Sequence, residues 1–284
     1  MKILKSSHYC YEILKQKKSF DFFSKNSKAI YFKNNKDMVC LQINNTELSP
    51  ISLISDLNSL KDFITFPSTS LIYKENTIFL DSYKFKMNTN LYQSKIKIFS
   101  SEIKNKDILI LAMENAKFIL YKYPSHGINQ IYRENIKDKQ IIIELIESRL
   151  NKIQDLIKNK EYDLGLKLLS KSIGLGLGLT PSMDDFITGF IASQMNFSLI
   201  DGEIFNKFIE NVENQSYSTT PVSQEFLRLS IKGHFSKPIV DFFASLYRQD
   251  SNLDSIGSSF ANLGASSGLD SLSGIYFYLE SLLD

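Results

Sequence analysis

Ile173-Gly174-Leu175-Gly176-Leu177-Gly178-Leu179-Thr180-Pro181-Ser182-Met183-Asp184-Asp185-Phe186 sets three glycines at every second position ahead of a Thr-Pro-Ser step and two adjacent aspartates. A glycine inside a helix costs about 1 kcal/mol relative to alanine, so three at this spacing mark a loop. They let the backbone reach φ > 0 and let another group come close to the main chain. The run that follows, Phe186, Ile187, Phe190, Ile191, has helical period. The segment therefore reads as a loop closing onto a helix N-terminus, where unpaired N–H groups and the helix dipole favour an anion. The alternative at this point is a tight helix–helix connection whose glycines permit close packing.

Working backward, Leu164, Leu166, Leu168 and Leu169 continue a helical pattern up to the loop, so no strand leads into it. The dinucleotide-binding fingerprint needs that strand, and Walker A needs a lysine where Leu179 stands. The segment fits neither nucleotide template. Asp184 and Asp185 are candidate catalytic acids and candidate magnesium ligands, since hard cations prefer carboxylate oxygens. Adjacent helical residues point about 100° apart. One of the two is therefore expected to cap the helix, Asp184 being the better placed, and the other to serve a site.

Further out, the chain divides into a β-rich and a helical half. Ala29–Phe32, Met38–Ile43 and Thr77–Leu80 are β-branched or aromatic runs, with turn-forming Asn34-Asn35-Lys36-Asp37 and Lys74-Glu75-Asn76 beside them. Tyr83–Met87 and Lys95–Phe99 alternate polar and apolar residues, as half-buried strands do. From about Lys106 the period changes: Ile142, Ile146, Leu150, Ile153 and Ile157 recur at helical spacing. Segments 186–195, 204–212, 223–231, 239–247 and 272–283 read likewise. The expected fold is α+β, an antiparallel β-rich domain over residues 1–105 and a mostly α-helical domain over 106–284. Strands and helices do not alternate, which argues against a Rossmann-like fold.

Composition narrows the class. The chain has 284 residues, 43% hydrophobic and 23% charged, with a formal net charge of +2. These are values of an ordinary globular protein, and the scattered lysines form no basic stripe for nucleic acid. The N-terminus lacks an apolar h-region, and no apolar run reaches the roughly 18 residues of a membrane span. Cys10 and Cys40 are too few for a disulfide framework, which fits a reduced, cytoplasmic protein. His8, His126 and His234 are too scattered for a histidine-based zinc site.

Two further segments repeat the chemistry of the glycine loop. Leu263-Gly264-Ala265-Ser266-Ser267-Gly268-Leu269-Asp270 again places glycines, hydroxyls and an acid before an apolar helix. Ser216-Tyr217-Ser218-Thr219-Thr220-Pro221-Val222-Ser223 is rich in hydroxyls, suited either to an anion or to capping the helix it precedes. If the helix N-termini behind the two glycine loops converge, they make one site with two anion-binding ends and two or three acids.

The pattern Gly-x-Gly-x-Gly-Leu-Thr-Pro-Ser-x-Asp-Asp-Phe (174–186), the Thr/Ser-rich segment and Ser-Ser-Gly-x-Asp-x-x-x-Gly (266–274) together resemble the AllH-like family. That family's namesake is a subunit of oxamate carbamoyltransferase in anaerobic allantoin breakdown. The resemblance covers the C-terminal half well and the β-rich half by general layout alone. It implies transfer of a carbamoyl group between oxamate and phosphate, carried out together with other subunits. It also implicates Gly174, Gly176, Gly178, Thr180, Pro181, Asp184, Asp185, Ser267, Gly268 and Asp270. Leu177 stands where the family pattern leads us to expect proline, and Met183 where we expect glycine.

From residues and resemblance together, the expected acids are Asp184, Asp185 and Asp270. The expected substrate contacts are Gly174, Gly176, Gly178, Thr180, Ser182, Thr219, Thr220, Ser266, Ser267 and Gly268. The ligand would be a small anion of the oxamate or carbamoyl phosphate type. Two other classes stay open: a non-catalytic ligand-sensing or assembly subunit, and a magnesium-dependent phosphotransfer enzyme.

Overall fold

The computed structural model describes residues 1–35, 37–61, 70–96, 105–124, 126–133, 140–176, 178–248 and 252–283. The chain forms two compact units, Met1–Lys95 and Ile96–Asp284. The sequence-derived change of period at residues 101–106, most of the Lys95–Phe99 strand and Leu177 fall largely or wholly outside the described residues.

The first unit holds strands β1 (Lys2–Ser7), β2 (Ser19–Lys25), β3 (Ala29–Asn34), β4 (Asp37–Gln42), β5 (Ser52–Ser55), β6 (Ser70–Lys74), β7 (Thr77–Leu80) and β8 (Tyr83–Tyr92). Between β1 and β2 runs helix α1 (His8–Lys17), which the β-rich reading did not resolve. Its buried Cys10, Ile13 and Leu14 make a short apolar stripe, and Ser7 accepts the Cys10 N–H as N-cap. The strands close a barrel in the order β1-β5-β4-β3-β2-β6-β7-β8. Phe20, Phe32, Leu41, Leu53, Leu71, Ile78 and Phe85 belong to its core.

Here the sheet corrects the sequence reading. It is mixed rather than antiparallel, because β4 pairs with β5 and β1 with β8 in parallel. A parallel neighbour needs a connection that carries the chain back to the same end of the sheet, and residues 43–51 make it between β4 and β5. The β1–β8 pair joins the two ends of this unit's chain and closes the cylinder, leaving no sheet edge. Cys10 and Cys40 are free and buried, as expected of structural thiols. Burial pushes the Cys10 thiol up to about 12.

The second unit is helical: α2 (Lys106–Lys122), α3 (Ile141–Lys158), α4 (Tyr162–Ser170), α5 (Ser182–Phe197), α6 (Gly202–Gln215), α7 (Pro221–Ile231), α8 (Lys237–Ser245), α9 (Leu253–Asn262) and α10 (Ser267–Leu282). A 3-10 turn (Ile128–Tyr132) lies between α2 and α3. Helices α5 and α10 are buried on nearly every face, which makes them the centre of this unit. They run side by side in the same direction: Thr180 meets Ser267 at one end, and Tyr278 meets Gln194 at the other. At their crossing a Cβ on Gly189 would fall 1.8 Å from the Ser271 carbonyl oxygen, and one on Gly274 1.9 Å from that of Phe186. The two mid-helix glycines are what allow the backbones this close. Among the described residues no helix is long and apolar enough to cross a membrane.

Candidate functional site

Parallel packing of α5 and α10 brings two helix N-termini, each a partial positive charge, to one end of the unit. That arrangement is unfavourable until acids or a ligand offset it. The sequence supplies Asp184, Asp185 and Asp270 there, all buried.

The glycine loop adopts the backbone that its spacing predicts. Gly174, Gly176 and Gly178 have φ of 84°, 123° and 96°. At Gly176 the loop folds tightly over the start of α5, and at Gly174 it lies against the Ser218–Thr219 segment. A Cβ at Gly174 would lie 2.6 Å from the Ser218 oxygen, and one at Gly176 2.3 Å from the Ser182 nitrogen. The Leu175 carbonyl accepts the Met183 N–H at 3.0 Å, so the loop caps α5 with its own backbone. This corrects the expectation that an aspartate caps the helix. The N-cap is Pro181, with no side-chain capping bond, and both aspartates lie inside the first turn.

Asp184 instead ties three segments together. Its Oδ1 accepts the Gly174 N–H at 2.7 Å, and its Oδ2 accepts the hydroxyls of Ser223, at 2.6 Å, and of Thr219. Burial raises its pKa, while these hydrogen bonds work against the rise. Thr220 is the N-cap of α7, accepting the Ser223 N–H at 3.2 Å, and its hydroxyl also donates to the Leu179 carbonyl. The hydroxyls of Thr219 and Thr220 are therefore engaged in holding the glycine loop. Gly268 lies at a close approach of backbones, where a Cβ would be 2.0 Å from the Phe260 oxygen.

A second cluster gathers Thr180, Ser182, Asp185, Ser266, Ser267 and Asp270. Thr180 Oγ1 and Ser267 Oγ are 2.8 Å apart, joining the two loops. Both hydroxyls lie near enough to Asp185 to favour its ionised form, and those of Ser266 and Ser182 do the same for Asp270, against the effect of burial. Asp270 Oδ1 accepts the Ile128 N–H at 2.6 Å. Gly127 makes that contact possible, since a Cβ there would fall 2.1 Å from Asp270 Oδ1.

Each acid of this pair keeps one oxygen, Asp185 Oδ2 and Asp270 Oδ2, that is closed off from solvent and has no hydrogen-bond partner. Asp185 is 9% exposed and Asp270 0%. Burial pushes the Asp270 carboxyl up to about 6. Burial, and then the neighbouring Asp270 charge, holds Asp185 well above the usual carboxylate range. Two adjacent buried carboxyls resist ionising together, so one favours its protonated form. Asp184 turns to its own partners, so the three acids do not form one ligand set. Among the described residues no group of three or more His, Cys, Asp or Glu is placed to hold a metal ion.

The pairing of the two loops was foreseeable only as a condition; the structure brings them together. Gly127, Ile128 and Ser223 were not among the expected site residues. Ile128 is separated from Asp270 by 142 positions, and no local spacing announces such a contact. Ser223 carried a signal as the last hydroxyl of its polar segment.

These features describe an α+β protein whose helical unit holds a buried acid pair under two converging helix N-termini. Residues 172–279, which contain both loops and the Thr/Ser segment, match the family model described as oxamate carbamoyltransferase subunit AllH. This part of the chain is AllH-like. No solved structure matches the chain.

Proposed function

We propose that this chain is a carbamoyltransferase-related subunit that binds a small anionic substrate, of the oxamate or carbamoyl phosphate type, at its two glycine loops. One observation carries the reading. Two loops far apart in sequence meet through the Thr180–Ser267 bond, around two buried acids that each keep an unpartnered oxygen. A buried acceptor left without a donor costs about 1–3 kcal/mol, and a bound ligand removes that cost. The match of both loops to the model described as oxamate carbamoyltransferase subunit AllH supports the same reading, and the word subunit supports a need for further subunits.

The chemistry fits such substrates. Hydroxyls of Thr180, Ser182, Ser266 and Ser267 and two helix N-termini suit a carboxylate or phosphate. A site of this kind acts by positioning and by stabilising developing charge, with no nucleophilic cysteine or histidine required. A purely structural or assembly role is favoured by a different observation, that Asp184 ties the glycine loop at Gly174 to Thr219 and Ser223 and so holds three segments together.

A thermal-shift titration of the intact chain with phosphate, carbamoyl phosphate and oxamate, each with and without magnesium, separates these readings. Ligand at 100 times its dissociation constant stabilises the folded state by about 2.7 kcal/mol, a readable shift. The expected result is a shift with oxamate or carbamoyl phosphate that Asp185→Asn removes while the variant stays folded. No shift with any ligand, together with unfolding of Asp185→Asn, contradicts a ligand site and favours the structural role.

A further inference from the structure

We infer that the outer face of α2 docks a second copy of this chain, the two helices lying antiparallel across a two-fold axis at residue 116. This goes beyond the ligand reading and does not depend on it. The helix has two apolar faces. Leu109, Ala112, Ala116, Ile119 and Leu120 are buried in the core of the helical unit. On the opposite side Leu111, Phe118 and Tyr121 stand 42%, 46% and 42% exposed. With Glu114 they fall at 111, 114, 118 and 121, the alternating three- and four-residue spacing of a helix–helix seam. A helix face that met only water would carry polar residues at these positions. Lys117 and Lys122 lie over the rings of Tyr121 and Phe118, at 6.0 and 5.4 Å, yet both rings stay nearly half exposed. A shallow hollow of about 360 Å³ lies here, lined by Glu114, Lys117, Phe118 and Tyr121.

What identifies the occupant is that the seam complements itself. Positions 111 and 121 are symmetric about 116, and so are 114 and 118. An antiparallel two-fold therefore sets Leu111 on the partner's Tyr121 and Glu114 beside the partner's Phe118. Lys117 neighbours Phe118 on the flank toward which Glu114 leans, so each Glu114 reaches the partner's Lys117. Among the described residues neither of these two charges has an ion-pair partner within the chain. A parallel pair would set Glu114 against Glu114, so the charges select the antiparallel arrangement. A surface for a different protein has no reason to be symmetric about one of its own residues, whereas a surface for its own copy must be. Helix α2 has 17 residues. A helix of that length spans about 25 Å. One such pair buries less than a standard interface, so the dimer is expected to be of roughly micromolar strength.

Sedimentation velocity of the intact chain, from about 1 to about 100 µM, tests this over the range expected of so small an interface. The parent is expected to pass from the 32.6 kDa monomer to a dimer as concentration rises. Phe118→Glu puts a charge at the centre of the seam and should raise the dissociation constant by about 10-fold or more. Glu114→Lys sets lysine against the partner's Lys117, and Lys117→Glu sets glutamate against the partner's Glu114, so each alone should weaken self-association. Mixed in equal amounts, these two variants should associate with each other, because every contact between them is again opposite in charge. All three positions are exposed, and circular dichroism confirms that each variant is folded. A parent that stays monomeric at the top of the range overturns the inference and leaves the face to a different protein. A dimer indifferent to Phe118→Glu, or folded charge variants that do not associate when mixed, overturns it as well.

Discussion

Gly176 and Gly178 look alike in sequence and differ in what a side chain would meet. Both have positive φ, but a Cβ at Gly176 runs into the Ser182 nitrogen, whereas nothing lies within 4 Å of one at Gly178. Gly178→Ala should therefore cost only the strain of a left-handed backbone, about 1–2 kcal/mol. Gly176→Ala should cost more, because the helix start must move as well. Denaturant unfolding of the two variants checks this; equal stability losses would contradict the account of the loop. Asp184 is a different case. Asp184→Ala leaves the Gly174 N–H and two hydroxyls without their acceptor in a buried place, a loss of about 3–5 kcal/mol. A variant within about 0.5 kcal/mol of the parent would mean the lock carries no weight. The acids and hydroxyls were legible in the sequence because their types and spacing are chemical signals. Their division of labour was not: Asp184 and Asp185 are neighbours, and only long-range partners make one a tie and the other part of a pair.

At the scale of elements, the site depends on how α5 and α10 cross. Gly189→Ala or Gly274→Ala would set a methyl group within 2 Å of a carbonyl oxygen on the facing helix. The helices must then separate, with overpacking losses of at least about 1–3 kcal/mol. Because the two loops ride on those helices, either change should also weaken ligand binding although neither glycine touches the cluster. A calorimetric titration showing parent-like affinity in Gly274→Ala would contradict this link. The core helices themselves were legible from period alone, since α3, α5, α6, α7, α8 and α10 carry regular apolar spacing. Helix α9, with a glycine and three serines among its ten residues, has a weak pattern and was missed. That α5 and α10 pair was unreadable, although glycines in the middle of two buried helices are the mark of a close approach.

For the molecule as a whole, the change from β to α along the chain was legible, and the closure of the sheet was not. Strand β5 is four residues, all buried, with no alternation to give it away. The parallel β1–β8 pair joins residues more than eighty positions apart. Global stability carries the imprint of the acid pair. Asp270 is held up to about 6 in the fold, and a carboxyl in the unfolded chain ionises near about 4. Across that window the folded state holds more protons, so this acid's contribution falls as pH rises and is smallest above the folded pKa. Raised Asp185 acts in the same direction, and Asp184, also raised, adds to it. The parent should therefore gain stability relative to Asp270→Asn when pH is lowered from 7 to about 5; a difference in Tm that stays flat over this range would contradict the assignment. The central claim, that two loops build one ligand site around Asp185 and Asp270, is met most directly by a crystal structure of the chain grown with oxamate. The account predicts oxamate between the starts of α5 and α10, in contact with Thr180, Ser267 and the Asp185–Asp270 pair. A structure in which oxamate occupies a different place, or in which the acid pair is unchanged in a crystal soaked to saturation, would contradict it.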